Sequence, residues 1–95
     1  KALQQPALTG EQFLSWAKRL RSAFNENTWG FLPYGTDEDA IKAVFMEIPT
    51  QSAFAQVAAA YKKEYDDDLM ADIKDELTVF EYAAMMDIVA KKPKT

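Results

Sequence analysis

Apolar residues recur every three or four positions along most of this chain, which is the spacing of one face of an α-helix. The first such stretch follows Thr9, and its sequence TGEQ places Gln12 where it can complete a capping box at a helix start. A helix is therefore predicted from about 10 to 24. Its inward face is expected to carry Phe13, Trp16, Ala17, Leu20 and Phe24.

A second helix is predicted within the motif GTDEDAI. Thr36 is expected to cap it. The three acids from Asp37 to Asp39 follow in the first turn, where carboxylates interact favourably with exposed amides and the helix dipole. Pro49 ends the helix, because proline donates no amide and disfavours helical backbone in the residue before it. The buried face is expected to contain Ala40, Ile41, Val44, Phe45 and Ile48.

A run of acids separates the third and fourth predicted helices. Thr50 is expected to cap a helix over about 51–65, and the acids at 66–68 are expected to form a turn and another cap. The fourth helix then covers about 68–77. The residues expected to point inward are Phe54, Val57, Ala58, Tyr61 and Tyr65 on the third helix, and Leu69, Ile73 and Leu77 on the fourth.

The last predicted helix begins with a capping box, TVFE, formed by Thr78 and Glu81. It runs from 79 to about 90, and Pro93 follows its end. Five helices without any segment of period two predict an all-α fold, a compact five-helix bundle. The predicted organisation is an N-terminal extension over 1–8, a helical domain over 9–90 and a basic C-terminal tail over 91–95 that frays.

A long aromatic loop is predicted between the first two helices. Residues 25–35 break the helical pattern with two glycines and a proline. Two interpretations are open for its rings, which either fold back as a lid on the core or protrude as a contact surface for a partner. The residues concerned are Trp29, Phe31 and Tyr34.

The composition excludes several kinds of chemistry. The chain has no cysteine and no histidine, which removes disulfides, zinc sites of the usual kinds and the side chain best suited to proton transfer near neutral pH. No residue pattern places a nucleophile beside a base. We therefore predict that the protein is not an enzyme. The enzymatic alternative is a hydrolase that uses paired carboxylates.

Charge is distributed unevenly along the chain. The formal net charge is −4, yet residues 26–87 carry fourteen acids against four bases, whereas residues 88–95 carry three bases alone. An acidic body without a basic stripe argues against direct binding of nucleic acid, since neutralising phosphates supplies much of such affinity.

Two groups of residues have two interpretations each. Lys18, Arg19 and Arg21 form either a solvated face of the first helix or a docking patch for an acidic partner or membrane surface. On the last helix, Met85 and Met86 either fill the core or form an adaptable binding stripe with two neighbouring alanines.

The motifs at the helix junctions resemble those of a known family. Between Gly35 and Leu77 the chain contains GTDEDAIKAVF and then AAAYKKEYDDDLMADIKDEL. It thereby resembles an annexin repeat, in which a GTDE-type sequence starts the second helix, an A(F/Y)K segment lies in the third and a DL pair opens the fourth. The resemblance covers about half of the chain closely, and it implies a single five-helix unit.

The resemblance also implies a calcium site. In annexins, carbonyls of the loop between the first two helices join a carboxylate near the start of the fifth helix to hold Ca²⁺, which bridges to acidic phospholipid. In this chain the carbonyls would be those of Phe31, Pro33 and Gly35. The carboxylate would be Glu76 by alignment of the DEL motif, or Asp75 by the family's spacing. Beyond this calcium ion, no cofactor is expected.

Two functions from different classes follow. The first is a non-enzymatic structural or adaptor module that acts by protein–protein contacts within a larger assembly, such as a bacterial or viral particle. Its expected contact residues are Trp29, Phe31 and Tyr34. The second is calcium-dependent binding to acidic phospholipid membranes. We prefer the first, because Pro33 cannot copy the glycine of the family's loop and a single repeat offers little avidity.

Overall fold

The computed structural model describes residues 8–24 and 37–95. In this part of the chain the secondary structure is entirely helical, without strands, which confirms the predicted all-α class. The predicted bounds of the first, third and fifth helices agree with the structure, and the fourth is one residue shorter at each end. The helices are α1 (Gly10–Phe24), α2 (Glu38–Glu47), α3 (Gln51–Tyr65), α4 (Leu69–Glu76) and α5 (Val79–Ala90).

Side-chain caps fix the starts of several helices. The hydroxyl of Thr50 accepts a hydrogen bond from the amide of Ala53 at 2.9 Å, as predicted for the start of α3. The predicted capping box of α5 is also present. Thr78 accepts from the amide of Glu81 at 3.1 Å, and the Glu81 carboxylate accepts from the amide of Thr78 at 2.9 Å.

The cap of α2 differs from the prediction by one residue. Asp37, not Thr36, is the N-cap, and its Oδ1 accepts a hydrogen bond from the amide of Ala40 at 3.1 Å. Both residue types can cap a helix, but the amide of Asp37 donates to the carbonyl of Ala23 at 3.1 Å. This bond ties the start of α2 to the end of α1. Thr36 lies outside the described residues.

The acid run between α3 and α4 forms the predicted turn, and each acid has a separate role. Asp66 is the C-cap of α3 and adopts a left-handed backbone with φ of 58°, which aspartate tolerates better than most residues. Asp67 pairs with Arg21 of α1 at 2.7 Å. Asp68 caps α4 by accepting from the amide of Ala71 at 2.9 Å.

One hydrophobic core joins all five helices. α1 packs against α2 and α3, and α5 packs against α2, α3 and α4. Phe13, Ala40, Ala58 and Tyr65 lie at its edge and are partly buried. None of the helices in residues 8–24 and 37–95 is long and apolar enough to span a membrane. The largest fully buried side chains are Tyr61, Phe45, Leu20, Ile41, Ile48, Leu69, Ile73, Val44 and Val57.

The C-terminal tail is bound to the start of α3, so the prediction that it frays is wrong. The carbonyls of Pro93 and Lys94 accept hydrogen bonds from the amides of Gln51 and Ser52, each at 2.9 Å. The Gln51 side chain also donates to the carbonyl of Lys92 at 3.1 Å. The first amides of a helix have no partner within it, and here the tail supplies the acceptors.

Candidate interaction surface

α5 exposes apolar side chains on the side that faces away from the core. Val79 is 81% exposed and Phe80 is 87% exposed. Ala83 and Ala84, three and four residues after Phe80, are exposed as well, so these side chains follow one side of the helix. Adjacent large apolar side chains in water mark a contact site more often than a scattered single residue does. We call this surface the outer face of α5, and it consists of Val79, Phe80, Ala83, Ala84, Asp87 and Ala90.

The sequence of α5 explains why it has two apolar sides. Ten of the 12 residues in VFEYAAMMDIVA are apolar, so one side can pack inward while another stays apolar in water. Met85 is buried and Met86 is partly buried against the core, whereas the neighbouring alanines are exposed. The methionines therefore fill the core. The apolar composition of α5 indicates that one core cannot cover every side of the helix, but it does not identify Val79 and Phe80 as the exposed residues.

Acidic residues surround the N-terminal end of the outer face. The Glu81 carboxylate accepts the Thr78 amide at 2.9 Å, and this bond keeps the pKa of Glu81 below its ordinary value. Interaction with the Glu81 carboxylate raises the pKa of Glu38, which lies in the first turn of α2. Asp75 and Glu76 precede α5 at the end of α4. The start of α5 is thus an acidic environment.

Basic residues surround the opposite end. Lys91 follows the last residue of α5, and its Nζ lies 3.0 Å from the carboxylate of Asp87. Lys92 and Lys94 belong to the bound tail, and partial burial lowers the pKa of Lys92. The outer face of α5 therefore runs from an acidic end to a basic end.

A polar cluster on another side of the domain is built around Arg21. Its Nη1 donates to Asp67 Oδ2 at 2.7 Å and to the Tyr61 hydroxyl at 3.1 Å. The Tyr61 hydroxyl in turn donates to Asp72 Oδ2 at 2.6 Å. Burial, followed by the bond to Asp72, raises the pKa of Tyr61, and the bond to Asp67 raises that of Arg21. A cavity of about 190 Å³ is lined by Arg21, Phe24, Tyr61, Asp67, Asp72 and Glu76.

The basic residues of α1 divide between exposed and structural roles. Lys18 is exposed, which both the solvated-face and the docking-patch interpretations require. Arg19 is exposed as well, and it pairs with both carboxylate oxygens of Glu47, at 2.6 and 2.9 Å, which raises the pKa of Arg19. Arg21 lies partly buried between two tyrosine rings and two carboxylates. For Arg21 the solvated-face interpretation is wrong, because α3 and α4 both pack around it.

Most of the residues predicted to bind calcium or a partner lie outside the described residues. These are Trp29, Phe31, Pro33, Tyr34 and Gly35.

The two candidate carboxylates of the calcium site are described, and they differ in their surroundings. Glu76 is half-buried and lines the cavity beside Arg21. Asp75 is exposed at the end of α4. Over residues 8–24 and 37–95, no three Asp or Glu side chains are grouped so that they could hold a metal ion. A calcium site would therefore depend on the carbonyls of the predicted loop.

Comparisons of the chain with protein-family models, with curated proteins and with solved structures found no match.

Proposed function

We propose that this protein is a non-enzymatic module that acts by protein–protein contact, and that the outer face of α5 is its contact surface. The observation that carries the proposal is the exposure of two adjacent large side chains, Val79 at 81% and Phe80 at 87%. Burying a phenylalanine side chain against a partner contributes about 1.5–3 kcal/mol, so leaving one in water forgoes that stabilisation. A partner that covers Phe80 recovers it.

The shape of the outer face supports this role. Ala83 and Ala84 follow Phe80 on the same side of α5, and their small side chains allow a second backbone to approach closely. Aromatic residues are enriched at the centres of protein contacts, where a few well-packed side chains contribute most of the binding energy. The charged ends of the face would then orient the partner.

We retain two further proposals with this function. One is that the chain is a single annexin-like unit within a larger assembly such as a bacterial or viral particle. The other is that Trp29, Phe31 and Tyr34 form a second contact region. Replacing Trp29 and Tyr34 with alanine is expected to weaken association while the helical circular dichroism is unchanged, and unaltered association would exclude this second region.

Photo-crosslinking in the cells that make the protein tests the contact surface directly. We expect Phe80→p-benzoylphenylalanine, which keeps the aromatic shape, to form covalent adducts with protein on irradiation. Met46 is the matched control, because it is also a large exposed side chain, at 61%, but lies on α2. The same photo-reactive residue at Met46 is expected to give few adducts. Absence of protein adducts at position 80 would refute the proposed contact surface.

The second candidate function is calcium-dependent binding to acidic phospholipid. It is favoured by the position of Glu76, the proposed carboxylate ligand, three residues before the exposed pair Val79 and Phe80. Calorimetric titration with Ca²⁺, with and without vesicles of acidic lipid, tests it. Binding that is lost in Glu76→Gln and kept in Asp75→Asn would support this function and assign its ligand. Absence of heat at millimolar calcium would exclude it.

A further inference from the structure

We infer that the partner of the outer face of α5 is a second copy of this chain, docked so that the two α5 helices run antiparallel. This inference rests on the proposed function and names its partner. It follows from two features of the face, an apolar centre and ends of opposite charge. A contact related by a two-fold axis requires a surface that is complementary to itself, and antiparallel helices provide that geometry.

The apolar centre fits a pair of helices. α5 has 12 residues, so its length is about 18 Å at 1.5 Å per residue. Ala83 and Ala84 lie near its middle, where the smallest side chains let two helix axes approach. With the two-fold axis between Ala83 and Ala84, antiparallel pairing places the Phe80 ring of each copy opposite Asp87 of the other. The small side chains of Ala83 and Ala90 flank that position.

The charged ends also match in this orientation. Outside the Arg21 cluster, the described residues around the start of α5 include three acids and one base, namely Glu38, Asp75, Glu81 and Lys74. The segment 87–95 at the other end contains three bases and one acid. Antiparallel pairing places the acidic end of each copy beside the basic end of the other, twice in one interface. Parallel pairing would instead place like charges together. Charge complementarity therefore selects both the second copy and its direction.

The size of the face determines the expected affinity. One pair of three-turn helices buries less surface than the ~1,600 Å² of a standard protein interface. The dimer should therefore be weak and concentration-dependent, with a dissociation constant of about 10–500 μM, as expected of a contact reinforced by repetition in an assembly.

Sedimentation equilibrium of the purified chain up to about 1 mM tests the inference, a range chosen to exceed the expected dissociation constant. We expect Phe80→Asp to stay largely monomeric over this range, because a two-fold interface loses the ring from both copies and a rise of about 100-fold takes the dissociation constant to about 1 mM or above. Met46→Asp is the control and should leave it unchanged. Phe80 is 87% exposed and Met46 is 61% exposed, so Phe80→Asp and Met46→Asp are both expected to fold. Circular dichroism checks this.

Charge reversal tests the direction of pairing. Lys91→Glu is expected to weaken the dimer about 10-fold, because it removes a positive charge that faces the acidic end of the other copy. Combining it with Asp75→Lys should restore much of the affinity, because the new lysine of one copy then faces the new glutamate of the other. Raising the salt concentration should also weaken the dimer. A rise in affinity for Lys91→Glu alone would overturn the antiparallel arrangement.

The photo-crosslinking experiment separates failure of this inference from failure of the proposed function. Adducts at position 80 with twice the mass of the chain support the second copy. A chain that stays monomeric to about 1 mM while position 80 forms adducts with other proteins overturns the second copy and keeps the contact surface. A chain that is monomeric and gives no protein adducts overturns both.

Discussion

Nη1 of Arg21 lies 2.7 Å from Oδ2 of Asp67, a residue 46 positions further along the chain. This contact fixes the end of α1 against the turn between α3 and α4. The same guanidinium lies 4.6 Å from the centroid of the Tyr65 ring and 3.7 Å from the carboxylate of Asp72. Arg21 therefore holds together three separate parts of the helical domain.

Arg21→Met is expected to destabilise the domain by about 1–2 kcal/mol, because it removes charge-assisted hydrogen bonds from a side chain that is only partly screened by solvent. Its side chain is 32% exposed, which limits the effect. Urea unfolding followed by circular dichroism measures the change. Lys18→Met is the control on the same helix and should change stability by less than ~0.5 kcal/mol, because Lys18 is exposed. Equal stability of the two variants would contradict the role given to Arg21.

The hydroxyl of Tyr61 makes a separate contribution. It donates to Asp72 at 2.6 Å and accepts from Arg21 at 3.1 Å, within an otherwise buried ring. Tyr61→Phe keeps the ring but removes the hydroxyl that donates to Asp72. The free energy of unfolding in urea is therefore expected to fall by about 1–2 kcal/mol. Tyr65→Phe, a partly buried ring on the same helix, is expected to lose less than ~0.5 kcal/mol. A larger loss of stability for Tyr65→Phe than for Tyr61→Phe would contradict the role given to the Tyr61 hydroxyl.

Helix boundaries were predictable from sequence because they depend on local chemistry. Thr50 and Thr78 cap the helices that follow them, and Pro49 follows the end of α2, as their residue types indicate. The cap of α2 was misplaced because Thr36 and Asp37 are adjacent and both can cap. The structure has Asp37 at the cap, where its amide donates to the carbonyl of Ala23 in α1, and this contact between helices is not visible in the local sequence.

Tertiary contacts were not predictable, because they join residues distant in sequence. The sequence of α1 alone predicts that Arg21 is a surface residue. Its partial burial comes from residues of α3 and α4, which are distant in sequence. The tail was expected to fray because its own sequence forms no helix, yet its carbonyls accept amides of α3. The outer face of α5 was missed for a different reason, since an apolar residue such as Phe80 is normally assigned to the core.

The pair of Arg19 and Glu47 predicts a dependence of stability on pH. Hydrogen bonds from Arg19, and then from Trp16 at 3.2 Å, lower the pKa of Glu47 from 4.5 to about 2. Because the folded state has the lower pKa, the stabilisation is present above about pH 5 and is lost as the pH falls toward 2. Glu47 is about half exposed, so screening limits the contribution to less than ~1 kcal/mol.

Glu47→Gln is therefore expected to be less stable than the original chain near neutral pH and to approach it in stability as the pH falls toward 2. Urea unfolding of both chains between about pH 2.5 and 7 measures this convergence. Glu64→Gln, at an exposed position on α3, is the control and should differ from the original chain by less than ~0.5 kcal/mol throughout. A difference that does not depend on pH would contradict the role of the Glu47 carboxylate.

Removal of residues 93–95 is expected to free the start of α3. The amides of Gln51 and Ser52 would lose the carbonyls of Pro93 and Lys94, to which they donate at 2.9 Å. Hydrogen exchange followed by NMR should then show faster exchange at both amides, by about tenfold or more if each bond contributes at least ~1.4 kcal/mol to local protection. The amide of Ala53 is the internal control, because it donates to the hydroxyl of Thr50 and not to the tail. Unchanged exchange at all three amides would mean that the tail is not bound in solution. Faster exchange at Gln51 and Ser52 alone would show that α3 depends on the C-terminal tail for the acceptors that its own first turn lacks.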